Sequence, residues 1–212
     1  MGPYRSTAGQ DCIWTLPRGN SVTRFAKKLP ARHGRGSAVN IAILLVAFLP
    51  ALLVAAAICD LTSYTIPNIV PASMILLFIT FLAAMGLKGH PLDWSSIGLH
   101  FLAGFIGLVA GMAVFAAGWV GGGDAKLFAA VALWFGWNDL FDYAILATLL
   151  GGCLTIFLIA IRRVSLPQIL ADQPWIARLA DRKEGVPYGV ALAVAALTVL
   201  PDTELFRLAA TS

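Results

Sequence analysis

An uninterrupted apolar run, IAILLVAFLPALLVAAAIC, extends from Ile41 to Cys59 and is followed at once by the acidic residue Asp60. About 20 apolar residues are enough for a helix to cross the hydrocarbon core of a bilayer. The run is longer than the apolar part of a secretory signal, and it ends in a charge rather than in a small-residue cleavage site. It therefore predicts a first transmembrane helix.

Hydropathy predicts further spans along the rest of the chain. They cover about Ile69–Leu87, Ile97–Trp119, Ala125–Trp137, Tyr143–Ile161 and Val186–Leu200. The chain has 212 residues, of which 59% are hydrophobic and 12% charged, and its mean hydropathy is +0.82. A soluble domain has about 25% charged residues, so the composition excludes a disordered protein and most soluble enzymes. We predict an all-α integral membrane protein with about six transmembrane helices, or five if the short fourth span is re-entrant.

Basic residues are concentrated at the N-terminus, where residues 1–40 hold seven of the 15 lysines and arginines. This segment has no helical or strand periodicity and is predicted to be a disordered tail. Residues 41–200 are expected to form the membrane domain, and residues 201–212 a short C-terminal tail. Since the net charge of +4 originates in the tail, it does not indicate a nucleic-acid partner.

The connection Arg162–Gly185 is also rich in Lys and Arg, which favours a cytoplasmic location by the positive-inside rule. Counting spans from it places the connections Asp60–Asn68 and Val120–Asp124 at the same face, and the N-terminus outside. Seven positive charges contradict an external N-terminus. Either the number of spans is odd, or a start site assigned too far upstream adds residues that the natural protein lacks.

Two carboxylates adjoin apolar helix ends at this face, whereas the other acidic residues fall in loops, polar ends or the tail. Asp60 ends the first span, and Asp124 precedes the fourth. Ionisable groups at such positions are costly and mark candidate functional sites. Gly121, Gly122 and Gly123 leave room for a peptide and for an unusual backbone. Asp124 is expected to be the N-cap of the fourth span. In the alternative interpretation, both aspartates are simply caps and interface anchors.

Two neighbouring carboxylates do not both ionise easily, so they share a proton. The ionised group can take a proton from water while the protonated group polarises a carbonyl, which is the chemistry of aspartic proteases. Conduction of cations or protons is the other use of such a pair. The cysteines, Cys12, Cys59 and Cys153, form no CxxC pair, and neither a metal nor another cofactor is expected.

Three runs, in order, resemble the type IV prepilin peptidases, which are GxGD-type intramembrane aspartyl proteases. They are Asp60…Ile66-Pro67-Asn68, Gly121-Gly122-Gly123-Asp124-Ala125-Lys126-Leu127 and Val186-Pro187-Tyr188-Gly189-Val190-Ala191-Leu192. The resemblance covers about residues 41–200 and implies that Asp60 and Asp124 are the catalytic pair at the cytoplasmic face. It also implies supporting roles in the motif and the substrate site for Gly121, Gly123, Lys126, Pro67, Asn68, Tyr188 and Gly189.

The resemblance further implies an enzyme of the bacterial inner membrane that removes the short basic leader of prepilins before their apolar helix. Bifunctional members have a cytoplasmic domain with paired CxxC motifs, which this chain lacks. It looks like the short, peptidase-only branch that serves Flp-type tight-adherence pili, so N-methyltransferase activity is not expected. Two other functions remain open: a cation or proton carrier or channel, and a presenilin-like protease that cuts within a span.

Overall fold

The computed structural model describes residues 41–87, 93–163 and 184–211, together with residues 173, 176, 178, 179 and 181. The predicted basic tail lies outside the described residues. Within them the chain is helical and has no strand. The helices are α1 (Ile41–Ser63), α2 (Ile69–Leu87), α3 (Trp94–Ala116), α4 (Gly122–Ile161), α5 (Tyr188–Val199) and α6 (Glu204–Thr211), with a short 3-10 turn at Leu200–Asp202 between the last two.

Four helices, α1 to α4, are long and apolar enough to cross a membrane, and Tyr188–Asp202 is a shorter apolar helix. Large apolar side chains cover the outer surface, including Leu76, Phe105 and Ile156, which are 65%, 63% and 71% exposed. Such a surface is unfavourable in water and suits a lipid environment. The prediction of an all-α membrane protein is confirmed.

Helix α4 spans the predicted fourth and fifth segments. Its 40 residues include a break at Gly136, whose φ of 70° and ψ of −172° are not helical. A positive φ is readily adopted only by glycine. The break divides α4 into a first arm, residues 122–135, and a second arm, residues 137–161, which brings the apolar helical segments in the described residues to the predicted six. The two spans predicted at Ala125–Trp137 and Tyr143–Ile161 leave a connection at Asn138–Asp142. This connection is wrong, because Gly136 alone makes the break and residues 138–142 are helical.

The first arm of α4 lies at the centre of the bundle. A Cβ added at Gly107 would lie 2.9 Å from Ala132 Cβ, and one at Gly111 would lie 3.0 Å from the Cα of Ala125. Glycine at both positions therefore allows α3 and α4 to approach closely, as the GxxxG spacing indicates. On the opposite side, Trp134 Nε1 donates a hydrogen bond of 2.9 Å to the carbonyl of Met74 in α2.

The C-terminal residues pack against the same core. Helix α6 buries Leu205 and Ala209, which are 1% and 2% exposed. Its exposed Arg207 forms an ion pair with Asp202 at 3.3 Å. Part of the segment expected to be a tail is therefore a packed helix.

Candidate active site

Asp60 lies in the last turn of α1 and is 4% exposed. The apolar run predicts that Asp60 ends the helix, but α1 continues to Ser63, whose hydroxyl donates to the carbonyl of Cys59 at 2.6 Å. Tyr64 then takes a φ of 53°, which ends the helix, and its N–H donates to the Asp60 carbonyl at 2.9 Å. The carboxylate therefore projects from a regular helix rather than from the loop.

Asp124 lies in the first turn of α4 and is 8% exposed. Gly121, and not Asp124, is the N-cap, which corrects the prediction. The Asp124 side chain reaches back, and its Oδ2 accepts a hydrogen bond of 3.1 Å from the Gly121 N–H. This is the acidic half of a capping box. A negative charge here also interacts favourably with the helix dipole, so the local fold orients the carboxylate.

Gly189, in the first turn of α5, connects the two carboxylates. A Cβ at this position would lie 2.8 Å from Asp60 Oδ2, so only glycine allows this approach. The next N–H, that of Val190, donates to Asp60 Oδ2 at 3.3 Å. The N–H of Gly189 interacts with both Asp60 and Asp124. The structure thus places the two aspartates together at the start of α5.

Ile66, which belongs to the first motif, packs against glycines of the other two motifs and is 7% exposed. A Cβ at Gly123 would lie 3.1 Å from the Cβ of Ile66 and 3.3 Å from its backbone N. A Cβ at Gly189 would lie 2.7 Å from the end of the same side chain. Glycine at positions 123 and 189 therefore lets the α1–α2 connection reach both carboxylates.

Lys126 and Asn68 join the first two motifs directly. The Lys126 ammonium donates a hydrogen bond of 2.9 Å to Asn68 Oδ1. Asn68 directly precedes α2, and its backbone carbonyl accepts a hydrogen bond of 3.2 Å from the N–H of Ala72 in that helix. Its side chain instead binds α4. Pro67, which precedes it, is exposed, and its carbonyl accepts from the N–H of Val70 at 3.0 Å.

Tyr188 begins α5 and packs against the second arm of α4. A Cβ at Gly151 would lie 2.8 Å from its ring, and its hydroxyl lies 3.3 Å from Thr155 Oγ1. This contact fixes the start of α5, and with it the neighbouring Gly189, relative to α4.

The charges near the site are few. In the part of the chain that the structure describes, neither Asp60 nor Asp124 forms an ion pair, and no group of three or more His, Cys, Asp and Glu could hold a metal ion. Tyr64 is close to the Arg162 guanidinium; burial raises the pKa of its phenol, and the guanidinium acts in the opposite direction. An uncompensated pair of buried carboxylates favours binding of one proton between them.

Sequence reasoning missed the contributions of Ile66, Val190 and Tyr64. Ile66 and Val190 lie within the three motifs, but the motifs do not show that Ile66 packs against two glycines or that the Val190 N–H binds Asp60. The positive φ of Tyr64 could not be predicted from the sequence either, because this backbone region is unusual for a tyrosine. Of the predicted residues, the structure brings three glycines next to the carboxylates of Asp60 and Asp124: Gly121, Gly123 and Gly189. Lys126 and Asn68 are hydrogen-bonded to each other nearby, and Tyr188 directly precedes Gly189.

Fold and site together define a multi-pass helical membrane protein with a buried pair of aspartates. A model of the type IV leader peptidase family matches residues 47–157, and the chain belongs to this family. It is also 41% identical over 58 residues to a "Prepilin leader peptidase/N-methyltransferase" of Dickeya chrysanthemi. That alignment covers 27% of this chain and 20% of the relative. No solved structure matches the chain significantly.

Proposed function

We propose that this protein is a membrane aspartic endopeptidase that removes the leader peptide of type IV prepilins. The observation that carries the proposal is the pair of buried aspartates, Asp60 and Asp124, which meet at the N–H of Gly189. Membership of the type IV leader peptidase family and the similarity to a prepilin leader peptidase support the substrate class.

In the proposed reaction the two carboxylates hold one proton between them. The ionised one takes a proton from a water molecule, which attacks the carbonyl carbon of the scissile bond. The protonated one donates a hydrogen bond to the carbonyl oxygen and stabilises the negative charge that develops there. The proton then passes to the leaving amine as the C–N bond breaks. Asp60 and Asp124 are the catalytic residues. Gly121 binds Asp124 through its N–H, Gly123 leaves room for Ile66, and Gly189 leaves room for Asp60.

The basic connection of residues 162–185 supports cleavage at the cytoplasmic face of the inner membrane. The substrates would be prepilins with a short basic leader, of the Flp type. Because the three cysteines form no CxxC pair, the proposal includes peptide cleavage and no methyl transfer. A carrier or channel that uses the same carboxylates is the alternative.

The test reconstitutes the full chain in liposomes with a prepilin and follows cleavage by the intact mass of the substrate. Asp60→Asn and Asp124→Asn should each lower the cleavage rate by about 10⁴-fold, as removal of a protease's catalytic group does. Each variant should still insert with wild-type helix content. The control is Asp142→Asn, which changes an exposed aspartate on the second arm of α4 and should cleave normally.

Wild-type rates in either catalytic variant would refute the assignment. A wild-type protein that cleaves nothing but shows pH-dependent cation flux would favour the carrier. A cleavage site mapped inside the apolar segment of the substrate, rather than before it, would favour a presenilin-like protease.

A further inference from the structure

A cavity of about 450 Å³ lies between α3, both arms of α4 and the start of α5. Ligand cavities in proteins usually measure about 300–1,000 Å³ and have mostly apolar walls with a few polar groups. The walls here are apolar and largely made of small or aliphatic side chains, among them Ala110, Val114, Ala144 and Leu192. The volume and the walls are suited to an apolar side chain.

One wall of this cavity is formed by the candidate catalytic residue Asp124. Its Oδ2 is occupied by the Gly121 N–H, but its Oδ1 is buried and accepts no hydrogen bond from the described residues. A buried oxygen without a partner is costly, and in a functional site such an atom is commonly left for a ligand. Tyr188, which precedes Gly189, forms another part of the wall.

We propose that this cavity binds the apolar side chain that follows the scissile bond of the substrate. The proposal rests on the function proposed above. A peptide whose carbonyl lies beside Asp124 places its neighbouring side chains within a few ångströms of that residue. The basic side chains of a leader would lose their hydration in the apolar walls, where Asp124, the single charged residue among the described lining residues, is already assigned to the reaction. An apolar side chain from the start of the substrate's helix gains by leaving water.

The second arm of α4 provides a position from which the cavity can be filled. Gly152 lines the cavity, and a Cβ added there meets no atom within 4 Å. A Cβ therefore fits at position 152 without movement of the backbone, and a leucine side chain that extends from it is expected to occupy part of the cavity. The adjacent Cys153 is exposed and does not line the cavity, so the same substitution there is a matched control.

The experiment measures kcat/KM in liposomes for two prepilins that differ only after the cleavage site, one with Phe and one with Ala. Gly152→Leu should lower kcat/KM for the Phe substrate about tenfold or more, the range expected when a pocket loses room for apolar groups. The Ala substrate should change by less than about twofold. Cys153→Leu should leave both substrates at wild-type rates.

An equal loss of kcat/KM for both substrates would overturn the subsite. So would no loss for either substrate, which is the result expected if lipid fills the cavity. Both outcomes would leave the proposed function intact. A wild-type protein that cleaves neither prepilin would overturn both. If Gly152→Leu fails to insert, Thr148→Leu tests the same wall, because Thr148 also lines the cavity. Its control is Leu149→Phe, at an exposed neighbour outside the cavity, and the same pattern is expected.

Discussion

Two glycines in this molecule lie against polar side chains that are buried in the bundle, and they do so for different reasons. Gly136 has a φ of 70°, and a Cβ there would lie 2.8 Å from the His100 ring. Gly189 lies within the regular helix α5, and a Cβ there would lie 2.8 Å from Asp60 Oδ2. The first glycine is required by backbone conformation and space, and the second by space alone.

The polar groups beside these glycines differ more than the glycines do. His100 Nδ1 lies 3.0 Å from the carbonyl of Leu133, and because a carbonyl only accepts, Nδ1 carries the proton. Asp124, which interacts with the N–H of Gly189, keeps one buried oxygen without a hydrogen bond from the described residues. A satisfied buried polar group is compatible with a purely structural role, whereas an unsatisfied one costs stability and requires an explanation, which for Asp124 is the proposed catalytic role. We therefore expect mutations near Gly189 and the two aspartates to affect cleavage, and mutations at Gly136 and His100 to affect stability.

Among the changes at these two glycines and their polar neighbours, the largest effect is expected for Gly189→Ala. The new Cβ would collide with Asp60 and with the end of Ile66, so the carboxylate must move away from its partner. Cleavage of a prepilin in liposomes should fall about 100-fold, which corresponds to about 2.7 kcal/mol in the activation free energy. Thermal unfolding should change much less than activity.

Gly185→Ala is the matched control for that change. A Cβ at position 185 meets no atom within 4 Å, so this variant should cleave at the wild-type rate. If Gly189→Ala also cleaves at that rate, the close approach of α5 to Asp60 has no catalytic importance.

The second effect concerns stability and is expected for Gly136→Ala. With a φ of 70° and a ψ of −172°, position 136 lies in a backbone region that essentially only glycine adopts, so an alanine there is strained by about 1–3 kcal/mol. Its Cβ would also displace the His100 ring. The variant should unfold at a clearly lower temperature in detergent, as measured by circular dichroism. Gly98→Ala changes a glycine of α3 with open space around it and should be neutral or slightly stabilising. Equal melting temperatures for both variants would contradict the role of the break.

The smallest effect is expected for His100→Leu. The substitution removes the ring nitrogen that donates to Leu133, and loss of a buried partner costs about 1–3 kcal/mol. Melting temperature should fall, while kcat/KM of the folded fraction should stay within about twofold. Loss of cleavage at an unchanged melting temperature would instead connect His100 with the reaction.

Much of the fold could be predicted from the sequence because hydropathy is a property of single segments. The bounds of α2 agree with the predicted span, and α1 and α3 differ from theirs by a few residues at their ends. The prediction of a connection at Asn138–Asp142 was wrong, because polar residues indicate a loop only on average. The helix is interrupted two residues earlier, at Gly136. The cap at Asp124 was wrong for a related reason, because a glycine can be the N-cap while the aspartate three residues later reaches back to it.

The sequence predicted most of the residues of the candidate site, but not how they contact one another. Asp60 and Asp124 stand out because charges are rare in apolar segments, and the three motifs gave the remaining residues. That Ile66 packs against both Gly123 and Gly189, and that the Asn68 side chain binds Lys126, depends on contacts between residues more than 50 positions apart. No local pattern encodes such contacts.

The sequence by itself determined that this protein is a bundle of apolar helices with two unusual aspartates, because the cost of charge in lipid acts on each segment separately. Only the tertiary structure decided that the aspartates meet at the start of α5, and that one Asp124 oxygen is left unpaired beside an apolar cavity. The reason is that close packing of helices depends on which glycines face which side chains, and this is settled by the whole bundle at once.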